Sequence, residues 1–166
     1  TRSSVPLDVT HLGSISDLVI ILALPNIQIL TKDARDILPK EVEIKNFVGN
    51  MANACLIASA FSTDNYKLFS RSLKDIVIEP VRSKLIPGFN EVKAVAIEAG
   101  ADGMTISGAG PAVFAITNSK KKAPIIEDAM TRTFQKNGVE CKTLITTPSN
   151  RGSVQVTSDD FDFFDH

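Results

Sequence analysis

The hydrophobic positions of the chain include several short runs with strand character. The apolar run LVIILAL at residues 18–24 predicts a strand that is buried on both faces, and Pro25-Asn26 end it. A looser alternation at residues 5–12 predicts a preceding strand, with Gly13-Ser14 as the turn between the two. The other predicted strands are residues 103–106, 112–117, 141–147 and 153–157.

Helical spacing of apolar residues occupies most of the chain between these strands. Thr31 can cap a short helix at residues 32–38, which Pro39 stops. A long helix is predicted at residues 44–61 because apolar side chains recur there on one stripe, consisting of Ile44, Phe47, Val48, Met51, Cys55 and Ala58. Further helices are predicted at residues 64–73, from residues 87–89 to residue 99, and at residues 124–136, the first of them packing against the long helix.

The order of these elements predicts the fold class. Helices alternate with strands in a chain of 166 residues, which is the size of one ordinary domain. We expect an α+β arrangement in which helices cover one face of a mostly antiparallel sheet, with a split βαβ, ferredoxin-like layer as the best fit.

Composition and charge exclude several classes of protein. The 18 basic and 19 acidic residues nearly cancel and are scattered, so there is no basic surface of the kind that binds nucleic acid. No apolar run is long enough to span a membrane, and no secretory signal is visible. Cys55 and Cys141 form neither a metal-binding spacing nor a disulfide framework. We expect both to be reduced core thiols in a cytoplasmic protein.

A glycine-rich bend interrupts the predicted sheet at ISGAGPAVFAIT, residues 106–117. The segment is not a P-loop, because Ala109 stands where that motif requires lysine. Nor is it a dinucleotide fingerprint, because Val113 replaces the third glycine and a strand follows instead of a helix. Two interpretations remain: a plain tight turn in a hairpin, or a bend kept free of side chains so that another group can approach the backbone.

Two arginines lie on short, irregular segments, where binding residues concentrate. Arg35 lies between Thr31 and Pro39, and Arg82 lies between two prolines of a connecting loop. Two guanidinium groups that converge from two loops would bind a carboxylate or phosphate through paired hydrogen bonds, although solvated or structurally paired arginines are the commoner case. The two histidines, His11 and His166, offer too little material for a catalytic triad or a histidine-rich metal site.

Three blocks of sequence together resemble a known family. They are PNIQILTKDARDILP at residues 25–39, IEPVRSKLIPGF at residues 78–89 and GADGMTISGAGPAVFAI at residues 100–116. In this order and at these separations they resemble the C-terminal half of the galacto-, homoserine, mevalonate and phosphomevalonate kinases (GHMP kinases). The first two blocks resemble the homoserine kinase branch in particular, whereas the glycine bend is shared across the superfamily.

The resemblance implies an activity and a set of site residues. It implies transfer of the ATP γ-phosphoryl group to the side-chain hydroxyl of L-homoserine, a step of threonine biosynthesis, with Mg²⁺ assisting. Arg35 and Arg82 would hold the substrate carboxylate, and Thr31 would place its hydroxyl near the transferring phosphate. The loop formed by Ser107, Gly108, Ala109 and Gly110 would pack against the nucleotide loop and line the site. No residue of this chain is expected to act as a dedicated catalytic base, and no metal ligand is assigned.

One departure from the family is large. The nucleotide-binding motif of the PxxxGLGSSA type does not occur in these 166 residues. We therefore expect residues 1–16 to be the end of an N-terminal kinase domain or a connecting strand, and residues 17–166 to be the C-terminal domain. We expect ATP and Mg²⁺ to be bound mainly by that N-terminal domain, which would be the partner of this chain. The chain would therefore be inactive alone. The sequence does not decide whether the chain forms a homodimer. Two alternative functions also remain: another GHMP small-molecule kinase, or a non-catalytic small-molecule-binding module.

Overall fold

A computed structural model describes residues 9–150 of the chain, which form four strands and six α-helices. The strands are β1 (Val19–Pro25), β2 (Gly103–Ile106), β3 (Val113–Thr117) and β4 (Cys141–Thr146). The helices are α1 (Thr31–Asp36), α2 (Ile44–Ser62), α3 (Tyr66–Ser72), α4 (Glu79–Arg82), α5 (Phe89–Glu98) and α6 (Ala123–Lys136), with a single 3₁₀ turn at Ser83–Leu85 after α4.

The four strands form one antiparallel sheet in the order β2-β3-β1-β4. In the register of the two central strands, Ile21 of β1 lies opposite Ala115 of β3 on one side and Ile145 of β4 on the other. The central strand β1 is the apolar run that the sequence pattern predicts to be buried. The strand order, with α5 and α6 as the crossovers, is that of a ferredoxin-like split βαβ layer, so the predicted α+β fold is confirmed.

The main core lies between one face of this sheet and the helices α5 and α6. Ile126, Met130 and Phe134 recur every four residues along α6 and are fully buried there. They meet Ile21 and Ala115 from the two central strands. Because these positions carry the largest buried side chains, this layer holds the sheet and both crossover helices together.

The opposite face of the sheet is covered only in part. The C-terminal turns of α2 and the helix α3 form a second cluster over Ile116, in which the rings of Phe61 and Phe69 meet edge to face with centroids 5.3 Å apart. The packing of α3 against α2 is therefore as predicted. The Tyr66 hydroxyl donates a 2.5 Å hydrogen bond to the Asp102 carboxylate, which ties α3 to the turn before β2.

Several elements differ from the sequence expectation. Residues 9–12 do not form a strand, while residues 5–8 and 153–157 lie outside the part of the chain that the structure describes. The sequence pattern does not predict helix α4, because Pro80 in its first turn resembles loop punctuation although proline is well suited to that position. Within residues 9–150, no helix has both the length and the apolarity needed to cross a membrane.

The largest correction concerns the long helix. Its apolar residues Ile44, Phe47, Val48, Met51 and Cys55, called the α2 stripe below, are all exposed. Cys55 is therefore a surface thiol and not a core thiol, whereas Cys141 is half-buried as part of β4. The pattern correctly predicts the helix but not the direction in which its apolar side faces.

Candidate active site

The Arg82 side chain joins the three sequence blocks at one place. Its Nε atom donates to the carbonyl oxygen of Ala34 in α1 at 3.3 Å, and its Nη1 atom donates to the carbonyl oxygen of Gly108 at 3.2 Å. Ala34 lies in the last turn of α1, where carbonyl groups lack partners within the helix. Arg82 therefore holds the end of α1 and the glycine bend next to each other.

The glycine bend is a tight turn with two left-handed residues. The N–H of Gly110 donates to the carbonyl of Ser107 at 3.1 Å, and the N–H of Ser107 donates to the carbonyl of Ala112 at 2.8 Å. Gly108 has a φ of +60° and Gly110 a φ of +83°, a conformation that favours glycine. The peptide bond from Gly110 to Pro111 is cis.

Gly110 is also where the three blocks pack together. A Cβ atom at this position would lie 3.4 Å from side-chain atoms of Ile106 and Ile86 and 3.7 Å from Ile29. Ile29 belongs to the first block and Ile86 to the second, and both also pack against the main core. A methyl group at Gly110 would make only ordinary contacts with these side chains, so the positive φ and not a lack of room is what favours glycine here.

Gly108 differs because it faces open space. Among the described residues other than its chain neighbours, nothing lies within 4 Å of the position that a Cβ atom would take, and both Gly108 and Ala109 are exposed. Within residues 9–150, the main-chain N–H groups of these two residues donate no hydrogen bond. Unpaired N–H groups in a turn form a concave surface that attracts anions.

The guanidinium group of Arg82 has bonding capacity left. Arginine carries five N–H donors, of which two are used by the carbonyls of Ala34 and Gly108. Arg35 follows Ala34 directly in α1, and its side chain is exposed, with no hydrogen bond or ion pair to the described residues. The two arginines therefore lie on adjoining segments. Thr31 begins α1, so all three predicted substrate residues belong to segments that meet at Arg82.

A partly buried hydrogen-bond network fixes the helix that carries Arg82. The Asp75 carboxylate accepts hydrogen bonds from Asn50 Nδ2 at 2.9 Å and from the N–H groups of Val77 and Ile78 at 2.9 and 2.8 Å. Asn50 in turn accepts from the N–H of Ile76 at 2.9 Å. Burial alone would raise the pKa of Asp75, but these hydrogen bonds outweigh it and leave the pKa below its ordinary value. Asp75 therefore anchors the start of α4 to α2.

A second contact fixes the same helix from the other side. Glu79 in the first turn of α4 forms an ion pair with Lys93 of α5, whose ammonium group also lies 5.7 Å from the centre of the Phe89 ring. The Glu79 side chain is only 13% exposed and that of Lys93 is 35% exposed, so the carboxylate end of this pair is the more shielded from solvent. The sequence patterns do not single out Asn50, Asp75 or Glu79. The available signal is the aspartate itself, since Asp side chains commonly accept hydrogen bonds from N–H groups two and three residues later, as Asp75 does from Val77 and Ile78.

Replacing Asp75 by alanine tests this anchor. We expect a loss of about 1–2 kcal/mol in the free energy of unfolding at neutral pH, as for other carboxylates that accept hydrogen bonds from N–H groups at a helix start. Because the folded-state pKa lies below its ordinary value of 3.8, the ionised carboxylate stabilises the fold above that pH, and the effect is lost as pH falls through the folded-state pKa. The difference between wild type and variant should therefore shrink below about pH 4 in denaturant titrations.

The matched control for this measurement is Asp128→Ala. Asp128 is exposed on α6 and bonds only to Arg132, four residues later. Such exposed pairs contribute little, so the control should change stability by less than about 0.5 kcal/mol. An Asp75→Ala variant with the same small effect as the control would show that Asp75 does not anchor α4.

The described residues offer no metal centre. No group of three or more His, Cys, Asp or Glu side chains within residues 9–150 is arranged to hold a metal ion. The residues present therefore do not fit a Mg²⁺ site of their own. What they do provide is positive charge from arginine and unpaired main-chain N–H groups, which together suit a bound anion.

Comparison of the sequence with known protein families assigns part of the chain to one of them. Residues 57–136 match the model of the family described as "GHMP kinases C terminal", a segment that includes α3, α4, the glycine bend and both crossover helices. The chain carries a GHMP kinase C-terminal domain. The expected membership of this superfamily is thereby confirmed.

The curated proteins to which the chain is similar include homoserine kinases. The chain is 41% identical over 136 residues to the homoserine kinase of Chloroherpeton thalassium, covering 82% of this chain and 43% of that protein. It is 44% identical over 128 residues to the homoserine kinase of Methanococcus maripaludis, covering 76% of this chain and 40% of that protein. The chain thus spans less than half the length of these curated relatives.

The chain is also similar to the solved structure of a homoserine kinase. The crystal structure of the homoserine kinase from Cytophaga hutchinsonii superimposes with a TM-score of 0.85 at 36% sequence identity. The match covers 91% of this chain and 48% of that protein. The GHMP domain with its α1, α4 and glycine-bend segments is therefore part of an architecture about twice as long in this relative.

Proposed function

We propose that this chain is the substrate-binding half of a homoserine kinase, which transfers the γ-phosphoryl group of ATP to the side-chain hydroxyl of L-homoserine. The observation that carries the proposal is the position of Arg82, whose guanidinium group bonds to both α1 and the glycine bend. The three segments that resemble GHMP kinases, two of which resemble the homoserine kinase branch in particular, thereby adjoin one another. The homoserine kinases among its relatives support the choice of acceptor.

Each segment of the site has a part in this proposal. Arg82 donates its remaining N–H groups to the carboxylate of L-homoserine, and Arg35 supplies the second positive charge from α1. The acceptor hydroxyl, at the other end of the substrate, then points toward Thr31 and the glycine bend. The free N–H groups of Gly108 and Ala109 face the phosphate-bearing ligand, and the open space at Gly108 lets that ligand approach the backbone.

The nucleotide side of the reaction lies outside these residues. Phosphoryl transfer depends on a site that positions ATP and stabilises the charge on its phosphate oxygens. A nucleotide motif of the PxxxGLGSSA type is absent from the sequence, and no metal cluster is present among residues 9–150. We therefore assign no step through ATP or Mg²⁺ to this chain, and propose that both are bound by a segment that the longer relatives contain.

An acceptor screen tests the proposal. The complete polypeptide that contains this chain is supplied with ATP and, in turn, with L-homoserine, mevalonate and galactose, and phosphorylated products are identified by mass spectrometry. We expect phosphorylation of L-homoserine alone. Phosphorylation of mevalonate or galactose in preference to L-homoserine would contradict the acceptor assignment. Tight binding of a free amino acid to the 166-residue chain, without any phosphorylation by the complete polypeptide, would favour a non-catalytic module.

A further inference from the structure

Helix α4, which carries Arg82, is a single turn of four residues, Glu79–Arg82. A helix this short has little stability of its own, because a first turn fixes several backbone dihedral angles in return for few hydrogen bonds. Its orientation in the domain therefore depends on contacts with other elements. The same contacts set the direction in which the Arg82 side chain leaves the helix.

One of these contacts comes from a helix of the main core. Lys93 of α5 forms an ion pair with Glu79. Phe89 and Val92, which precede Lys93 in α5, are buried in the main core. The Lys93 ammonium group also lies 5.7 Å from the centre of the Phe89 ring, within the range of a cation–π contact. Lys93 therefore joins α4 to a well-packed part of the domain.

The Glu79 carboxylate depends on this ion pair. Its second oxygen, Oε2, is buried and accepts no hydrogen bond from residues 9–150. A buried carboxylate that loses its partner is costly, and the cost is relieved if the side chain moves toward water. Glu79 and Arg82 are the first and last residues of the same turn, so a movement of Glu79 also displaces Arg82.

Displacement of Arg82 affects its ability to bind a carboxylate. Its guanidinium group donates to the carbonyls of Ala34 and Gly108, and these bonds fix the directions of the remaining N–H groups. Paired hydrogen bonds between arginine and a carboxylate require the two groups to be aligned. A misplacement of about 1 Å in a substrate-positioning group costs an enzyme as much as about 100-fold.

We propose that Glu79 and Lys93 are positioning residues for the acceptor, because their ion pair holds α4 in the orientation in which Arg82 binds the acceptor carboxylate. This inference rests on the proposed function. The Asp75 network holds the start of α4, and the Glu79–Lys93 pair holds the helix against α5. Glu79 and Lys93 do not touch the acceptor themselves, so their effect on the reaction passes through Arg82.

Steady-state kinetics of the complete polypeptide tests this role. Lys93→Met keeps most of the apolar stem and removes the charge. We expect it to raise KM for L-homoserine by at least about tenfold, while kcat and KM for ATP change by less than about threefold. Lys93→Arg keeps the charge and should stay within about threefold of wild type in all three constants. An unchanged KM for L-homoserine in Lys93→Met overturns the proposal.

A double-mutant comparison separates positioning from a general structural effect. If Lys93 acts through Arg82, Lys93→Met should change KM for L-homoserine by less than about twofold when Arg82 is already alanine. A merely structural role would weaken the enzyme equally in both backgrounds. An equal tenfold rise in KM with and without Arg82 would therefore contradict the proposal.

Lys136→Met is the matched control. Lys136 also lies near a glutamate of α5, Glu91, at 3.9 Å, but the two side chains are 79% and 57% exposed. Such exposed pairs contribute little, so both KM values should be unchanged. If Lys93→Met does not fold, Glu79→Gln provides the comparison, since it leaves no buried charge. We expect Glu79→Gln to raise KM for L-homoserine by about threefold, and an unchanged KM would again overturn the proposal.

Hydrogen exchange of the complete polypeptide gives a measurement that does not require activity. Exchange over residues 78–86, which include α4, should be at least about fivefold faster in Lys93→Met than in wild type and unchanged in Lys136→Met. Equal exchange in Lys93→Met and wild type would show that the ion pair does not hold α4 and would contradict this proposal alone. A wild-type enzyme that does not phosphorylate L-homoserine would contradict the proposed function, whatever the exchange of α4.

Discussion

Replacing Arg82 by alanine is expected to raise KM for L-homoserine by about 100-fold in the complete polypeptide, while KM for ATP changes by less than about threefold. The reason is the loss of charge-assisted hydrogen bonds to the substrate carboxylate, each of which contributes about 1.5–3 kcal/mol. Steady-state kinetics with each substrate varied in turn measures both constants. Arg82→Lys should recover only part of the loss, because an ammonium group cannot reproduce the paired donors of guanidinium.

Arg132→Ala is the control for this prediction. Arg132 is 77% exposed on α6 and bonds to Asp128 four residues earlier, away from the site. Both KM values should be unchanged in this variant. An unchanged KM for L-homoserine in Arg82→Ala would show that Arg82 does not bind the substrate carboxylate.

Replacing Gly108 by alanine is expected to lower kcat/KM by at least about tenfold with only a small loss of stability. The φ of +60° disfavours any residue with a Cβ atom, and we expect this strain to cost about 1 kcal/mol in the free energy of unfolding. Apart from its chain neighbours, no atom of residues 9–150 lies within 4 Å of the new methyl group, so these residues do not resist it. The loss of activity would come from the ligand that has to approach the backbone there, and it is read from kinetics alongside chemical denaturation.

Gly138→Ala provides a matched comparison. Gly138 follows α6 with a φ of +74°, and it too has nothing within 4 Å of the position that an alanine methyl group would take, although it lies far along the chain from the bend. We expect the same small loss of stability and no change in kcat/KM. If the two variants retain equal activity, the bare backbone at Gly108 serves the turn and not a ligand.

The elements of the fold follow closely from local sequence patterns. The period of apolar residues predicts α2 and α6 nearly to their ends, and short apolar runs predict all four described strands. What the pattern does not determine is orientation. The α2 stripe reads as a buried face, yet Asn50 turns it outward by bonding to Asp75, a residue far along the chain whose partners cannot be inferred from spacing.

The candidate site is predictable only in part for the same reason. The resemblance to GHMP kinases predicts Arg35, Arg82 and the glycine bend as site residues, and the family match over residues 57–136 confirms the domain but not these roles. The contact between Arg82 and the carbonyl of Gly108 joins two distant segments, and no local propensity encodes it. Asp75 and Glu79 act through α4 and not on a ligand, so their types and spacing alone resemble an ordinary solvated loop.

The central claim is that Arg82 binds the carboxylate of the acceptor, and a cycle that removes each partner in turn tests it most directly. Wild type and Arg82→Ala are each assayed with L-homoserine and with 3-aminopropan-1-ol, which retains the hydroxyl and the amine but lacks the carboxylate. We expect the substitution to lower kcat/KM by about 100-fold for L-homoserine and by less than about threefold for the amino alcohol. Equal losses for both acceptors would contradict the claim and would show that Arg82 acts only by holding α1 against the glycine bend.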